Sequence, residues 1–274
     1  PEGEQMLFSH ALVRDGVYAS LLRTRRRQLH RAAADVLGED EIALRAQHLD
    51  RAEDDCAPSA YADAARAAAA ILDEEAAIAH CDRGLDLDPE PAVAASLLRL
   101  RGDALRNLGR TRESMEMFER AFDTTPTGPD ACRALIGLAE GLRVADRSED
   151  ALAALKRAEA CAGVLPALDG ARIHYLRGCV QFPLGRTEAC LAEHEASLEL
   201  ARAAGSPEAE ASALSGLGDA HYLDGLMRDA FERFDGCVRV CREHDLGRIE
   251  VANRHMVGWS RIYLLEQREA VQDG

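Results

Sequence analysis

The stretch from Leu97 to Pro126 reads LLRLRGDALRNLGRTRESMEMFERAFDTTP. Gly102 falls inside a first helical run and Gly109 ends it. Ser114, Phe118 and Ala121 then recur at helical spacing, and Pro126 closes the second run. Each landmark has a physical reason. Gly109 suits a helix C-terminus because glycine adopts the left-handed conformation that satisfies the last carbonyls. The small Ser114 suits a close helix crossing, Phe118 fills the space between neighbouring pairs, and Pro126 prevents the second helix from continuing. The run from Leu214 repeats the pattern with Gly218, Gly225, Ala230, Phe234 and Cys237.

These landmarks resemble the tetratricopeptide repeat, a helix-turn-helix unit of about 34 residues. With the phase fixed, the small crossing residue recurs at Ala77, Ser114, Ala151, Cys190, Ala230 and Ala270, at intervals of 37, 37, 39, 40 and 40 residues. Tyr61, Ala65 and Pro89 mark the first copy, with Cys81 where an aromatic is usual. Ala139, Leu155 and Ala158 mark the third. Gly178 and Gly185 mark the fourth, with His194 in the aromatic position. Gly258 and Ala270 belong to a sixth copy that lacks most of its second helix. The expected fold is all-α. It is a solenoid of helical hairpins winding into a right-handed superhelix, because one hairpin cannot bury its apolar face alone. Residues 53–274 form about five and a half repeats, and residues 1–52 an N-terminal helical linker or cap.

Composition agrees with that class. The chain has 274 residues, 47% apolar but only 4% aromatic, so Ala and Leu carry the core. Its formal charge of −15 argues against binding phosphate backbones or anionic membranes through bulk attraction. No run of 18 apolar residues could span a bilayer. The acidic start Pro1-Glu2-Gly3-Glu4-Gln5 has no signal-peptide character and no initiator Met, so a fragment of a longer chain is expected. Eight cysteines without a C-x-x-C pair read as reduced thiols of a cytoplasmic protein.

In the N-terminal segment, Leu12, Val13, Val17, Leu21, Leu22, Leu29 and Val36 keep roughly helical spacing up to Gly38. A short helix around Glu41 to Ala52 follows. The strings FSHALVRDGVYASLLRTRRRQLHRAAADVL and AQHLDRAEDD resemble the joint between an ATPase core and repeats in large bacterial signalling proteins. These include adenylate/guanylate cyclase-type proteins and LuxR/MalT-like regulators. The resemblance implies an upstream ATPase domain in the same chain and carries over no nucleotide-binding residue.

Catalytic signatures are missing from the sequence. The sole lysine, Lys156, lies inside a repeat, so there is no P-loop, and no G-x-S-x-G or H-E-x-x-H occurs. No cofactor or metal is expected. Cys237 and Cys241, four apart, would be half a metal site with His221 or His244, but Cys237 stands where repeats take a small residue. Cys179 is the first candidate for a reactive thiol. Arg23, Arg25, Arg26, Arg27 and Arg31 read as a solvated helix face or a docking surface for a missing domain.

The repeat phase points a set of first-helix residues into the concave groove. These are Arg99, Asp103 and Arg106; Arg133, Glu140 and Arg143; Arg172, Tyr175, Cys179 and Phe182; Asp219 and Tyr222; and His255, Trp259 and Tyr263. Arginine takes carboxylates in a fork and aromatics anchor apolar side chains, so the groove suits an acidic-hydrophobic peptide or helix. Asp103 and Glu140 stand where the chaperone-tail clamp of tetratricopeptide repeats has Asn. Three readings follow: a non-catalytic interaction module of a signalling ATPase, a stand-alone scaffold that assembles partners or homodimerises, and an enzyme acting through Cys179 or the carboxylates.

Overall fold

The computed structural model describes residues 11–161 and 164–264, all in helices and the turns between them. The chain divides into two units, Pro1–Arg110 and Thr111–Gly274. The first holds α1 (Ala11–Ser20), α2 (Arg23–Val36), α3 (Ile42–Arg51), α4 (Ala57–Ala70), α5 (Glu74–Leu85) and α6 (Pro91–Asn107). The second holds α7 (Thr111–Thr124), α8 (Pro129–Val144), α9 (Ser148–Cys161), α10 (Ala167–Gln181), α11 (Thr187–Ala203), α12 (Pro207–Leu223), α13 (Met227–Glu243) and α14 (Gly247–Tyr263).

Local chemistry sets the helix ends. Proline occupies the first turn of α6, α8 and α12, where its missing N–H costs nothing. Asp73 caps α5 by accepting from the Ala76 N–H, and Ser206 caps α12 by accepting from Ala209. The turn after each first helix holds one left-handed residue: Leu72, Gly109, Asp146, Gly185 and Gly225. The next N–H donates to the carbonyl five residues back, as in Arg110 to Leu105 and Leu226 to His221. Asp146 and Leu72 take this conformation without being glycine. Leu72 gains no local side-chain bond from it, so the geometry of the hairpin holds it there.

Packing follows the repeat. The expected crossing residues Ala77, Ser114, Ala151, Cys190 and Ala230 are all buried, and Ala270 lies outside the described residues. The position between neighbouring pairs is filled in turn by Cys81, Phe118, Leu155, His194 and Phe234, none more than 2% exposed. In the second unit each helix packs on the next. The first helices α8, α10, α12 and α14 also pack on one another as a continuous row. Phe118, Leu135, Leu155, Ile173 and Val180 form its largest core cluster.

The N-terminal segment differs from its apolar spacing. The helical run breaks at Leu21–Leu22 into α1 and α2. Leu12, Val13, Val17, Leu22, Leu29 and Val36 are all exposed. The buried face of α2 is instead His30 and Ala34, which close against Ala46 and Leu49 of α3. That core continues without a break into Ala57, Ala60, Tyr61 and Ala64 of α4. Small side chains let these helices approach, so the larger leucines are left on the outer face. The helix expected near residues 41–52 is α3.

Candidate functional site

The row of first helices in the second unit places Glu140 and Arg143 (α8), Tyr175 (α10) and Asp219 (α12) in electrostatic reach of Cys179 (α10), and His255 (α14) in reach of Asp219. Burial pushes the Asp219 carboxyl up to about 6, against the opposing pull of His255. Burial also raises the Cys179 thiol. The Tyr175 hydroxyl and nearby Arg143 favour its thiolate but do not outweigh desolvation. Tyr175, raised by burial and by Cys179, keeps its proton. The half-buried Arg143 has an Nε that is shielded from solvent and has no hydrogen-bond partner. The guanidinium acts on Tyr175 and Cys179, and its Nε is a buried donor left without an acceptor.

Beyond this centre, Tyr222 meets Tyr263 edge to face, with ring centroids 5.9 Å apart. Trp259 and Tyr263 are 50% and 57% exposed, so half of each ring is open to a partner. Arg172 is exposed, and Phe182 stands partly exposed at the C-terminal cap of α10.

Other groove candidates are committed internally. Arg133 reaches the next first helix, where its Nε lies 3.2 Å and 3.3 Å from the two oxygens of Asp169, a carboxylate only 2% exposed. It therefore neutralises a buried charge and fixes α8 against α10. In the first unit, Asp103 accepts from Arg99 at 3.1 Å and from Arg106 at 3.0 Å, so this trio on α6 is paired within itself.

A family model for the tetratricopeptide repeat matches residues 95–127. Solved structures of the same architecture accompany it. PilW, titled a widely conserved type IV pilus biogenesis factor, superposes with a TM-score of 0.62 at 16% identity, over 79% of this chain and 90% of that one. TTC0263, a thermophilic repeat protein of Thermus thermophilus, gives 0.56 at 20% identity, over 73% and 98%. BtubC from P. vanneervenii gives 0.57 at 14% identity, over 86% and 93%. The fold is that of a tetratricopeptide-repeat array. At these identities the likeness concerns fold alone. No curated protein matches the sequence.

In tetratricopeptide-repeat terms, the remaining sequence candidates resolve as structure. Cys237 and Cys241 are fully buried beside Leu214 and Leu217, and desolvation raises both thiols. Among the described residues, no three His, Cys, Asp or Glu side chains converge on a point that could hold a metal. The one exposed thiol is Cys56 rather than Cys179. In the basic run, Arg23 donates to Glu53 at 2.6 Å, Arg27 pairs with the same carboxylate at 3.4 Å, and Arg31 pairs with Asp54. Arg26 lies over the Tyr18 ring at 5.3 Å. The run ties α2 to the turn before α4, where Glu53 takes a left-handed conformation. Among the described residues, no helix is long and apolar enough to cross a membrane.

Proposed function

We propose that the chain is a non-catalytic protein-interaction module that takes a protein or peptide segment along the first-helix row of its second unit. The half-exposed rings of Trp259 and Tyr263, on the same row of first helices as the exposed Arg172, carry this reading. A ligand carboxylate would pair with the exposed Arg172 and the half-buried Arg143 guanidinium, and an apolar side chain would settle on Trp259 and Tyr263. Arg133, Glu140, Tyr222 and His255 shape the same surface. The raised Cys179 thiol speaks against nucleophilic catalysis at neutral pH, since thiolate is the reactive form.

The strings near residues 8–37 and 46–55 support a place after the ATPase core of a multidomain bacterial signalling protein, of cyclase or LuxR/MalT type. Residues 1–52 would then be the connecting cap, and groove occupancy the signal that the array passes on. The half-exposed Trp259, Ile262 and Tyr263 favour a second reading, a scaffold that assembles by self-association through α14. Concentration-dependent mass in sedimentation would support it.

Peptide-display selection on the full chain tests the first reading. Selected peptides should pair an acidic residue with an aromatic or large aliphatic one. Changing Arg143 and Arg172 together to Ala should weaken them by about tenfold or more, roughly 1.4 kcal/mol. Peptides that bind this variant as well as the parent chain would reject the groove.

A further inference from the structure

We propose that the outward face of α14 docks an acidic amphipathic helix of a partner protein, a docking that deepens the interaction-module reading and rests on it.

Six exposed residues of α14 share one side of the helix: Arg248, Val251, Arg254, His255, Trp259 and Ile262. Steps of three and four residues return to the same face, so they form one stripe about 20 Å long. The opposite face carries the buried Asn253, Val257 and Ser260. Val251 is 73% exposed, Trp259 50% and Ile262 42%. Apolar side chains gathered on one exposed face mark an interaction surface.

The repeat shows what shape fits. At the 40-residue interval, Val251 and Arg254 stand where α12 has Ala211 and Leu214. Those two are 0% and 5% exposed, and they belong to the cluster that holds Cys237 and Cys241 of α13. A helix therefore covers this side of α12, and the open side of α14 offers a helix the same seat.

Charge decides which helix. Arg254 in place of Leu214 sets a cation where an apolar side chain meets α13, with Arg248 and His255 beside it on the stripe. The single acid of α14, Glu250, accepts from Arg242 at 2.8 Å. The complementary helix carries carboxylates opposite the three basic residues and apolar side chains opposite Val251, Trp259 and Ile262. A second copy of α14 would set the three basic residues against the same three, which like-charge repulsion opposes. The formal charge of −15 on the whole chain opposes an anionic bilayer in the same way.

Trp259 is the only tryptophan in the sequence, so its emission reports the docking directly. The probe is a tryptophan-free peptide of 17 residues, the length of α14, with leucine along one face and glutamate and alanine elsewhere. Its control has lysine for glutamate. On the full chain, the glutamate peptide should shift the emission to shorter wavelength and saturate, and the lysine peptide should bind at least about tenfold more weakly. Arg248→Glu combined with Arg254→Glu, both on the surface, should reverse that preference. Equal binding of the two peptides, no shift with either, or an equal shift from phosphatidylserine vesicles would overturn the docking. So would emission of the chain alone that moves on dilution, which would assign the stripe to a second copy. Emission that moves on removing residues 265–274 would assign it to the chain's own end, and would overturn the docking too. Where display-selected peptides depend on Arg143 and Arg172 but the glutamate peptide does not bind, the groove reading stands and this docking falls.

Discussion

His194 sits neutral between Gly178 and Gly216, whose hypothetical Cβ atoms would each lie within 2.5 Å of its ring. Its Nδ1 is buried without a hydrogen-bond partner, and desolvation lowers the imidazole to about 4. Its contribution to stability is therefore complete above 6.5 and lost as pH falls from 6.5 to about 4, roughly 3 kcal/mol in all. Asp219 has the opposite sign. Its folded value of about 6 lies above its ordinary 3.8, so it favours the fold below 3.8 and loses that advantage as pH rises through 6. The two windows overlap, and the two groups offset each other in the wild-type profile. Urea unfolding across this range should separate them. Asp219→Asn is expected to be more stable than wild type at pH 7.5, with the gain gone by pH 4. His194→Phe is expected to be more stable at pH 4.5, where the imidazole is charged in the unfolded chain but resists charging in the fold, with the gain shrinking above 6.5.

For the helices, the same close approach sets what a side chain may add. A Cβ on Gly216 of α12 would collide with the His194 ring, which is wedged and cannot retreat. Gly216→Ala should cost about 1–3 kcal/mol or more by overpacking. Gly236, in the middle of α13, meets only Leu214 and Arg239 at 3.8 Å or beyond. Gly236→Ala should therefore gain roughly 0.5–1 kcal/mol from helix propensity. Denaturant midpoints of the two variants check both signs. Equal effects would mean that α12 does not approach α11 as closely as described.

Across the whole molecule, the cysteines report packing. Cys81, Cys132 and Cys190 are buried, and desolvation pushes their thiols up to about 12, 12 and 11. Cys56 is the exposed thiol. A disulfide-exchange reagent at pH 7.5 should find one fast-reacting thiol per folded chain, abolished by Cys56→Ser, and the rest only as the array opens. Fast modification of Cys179 would mean that the groove centre is open to solvent.

Much of the array was legible because a repeat imposes its own ruler. Ser114 identifies Ala77, Ala151, Cys190 and Ala230 by interval alone, and each is buried. His194 could be assigned to the aromatic position in the same way. The sequence by itself determined the helices, their turns and which residues cross, since those follow from local propensity and a fixed period. Partners on different helices are another matter. Arg133 turns to Asp169, 36 residues on. His30 finds His48 across a helix pair. Only the tertiary structure decided these, because an ion pair or a shifted carboxyl depends on distance and on water excluded by other helices, and neither quantity is written along the chain.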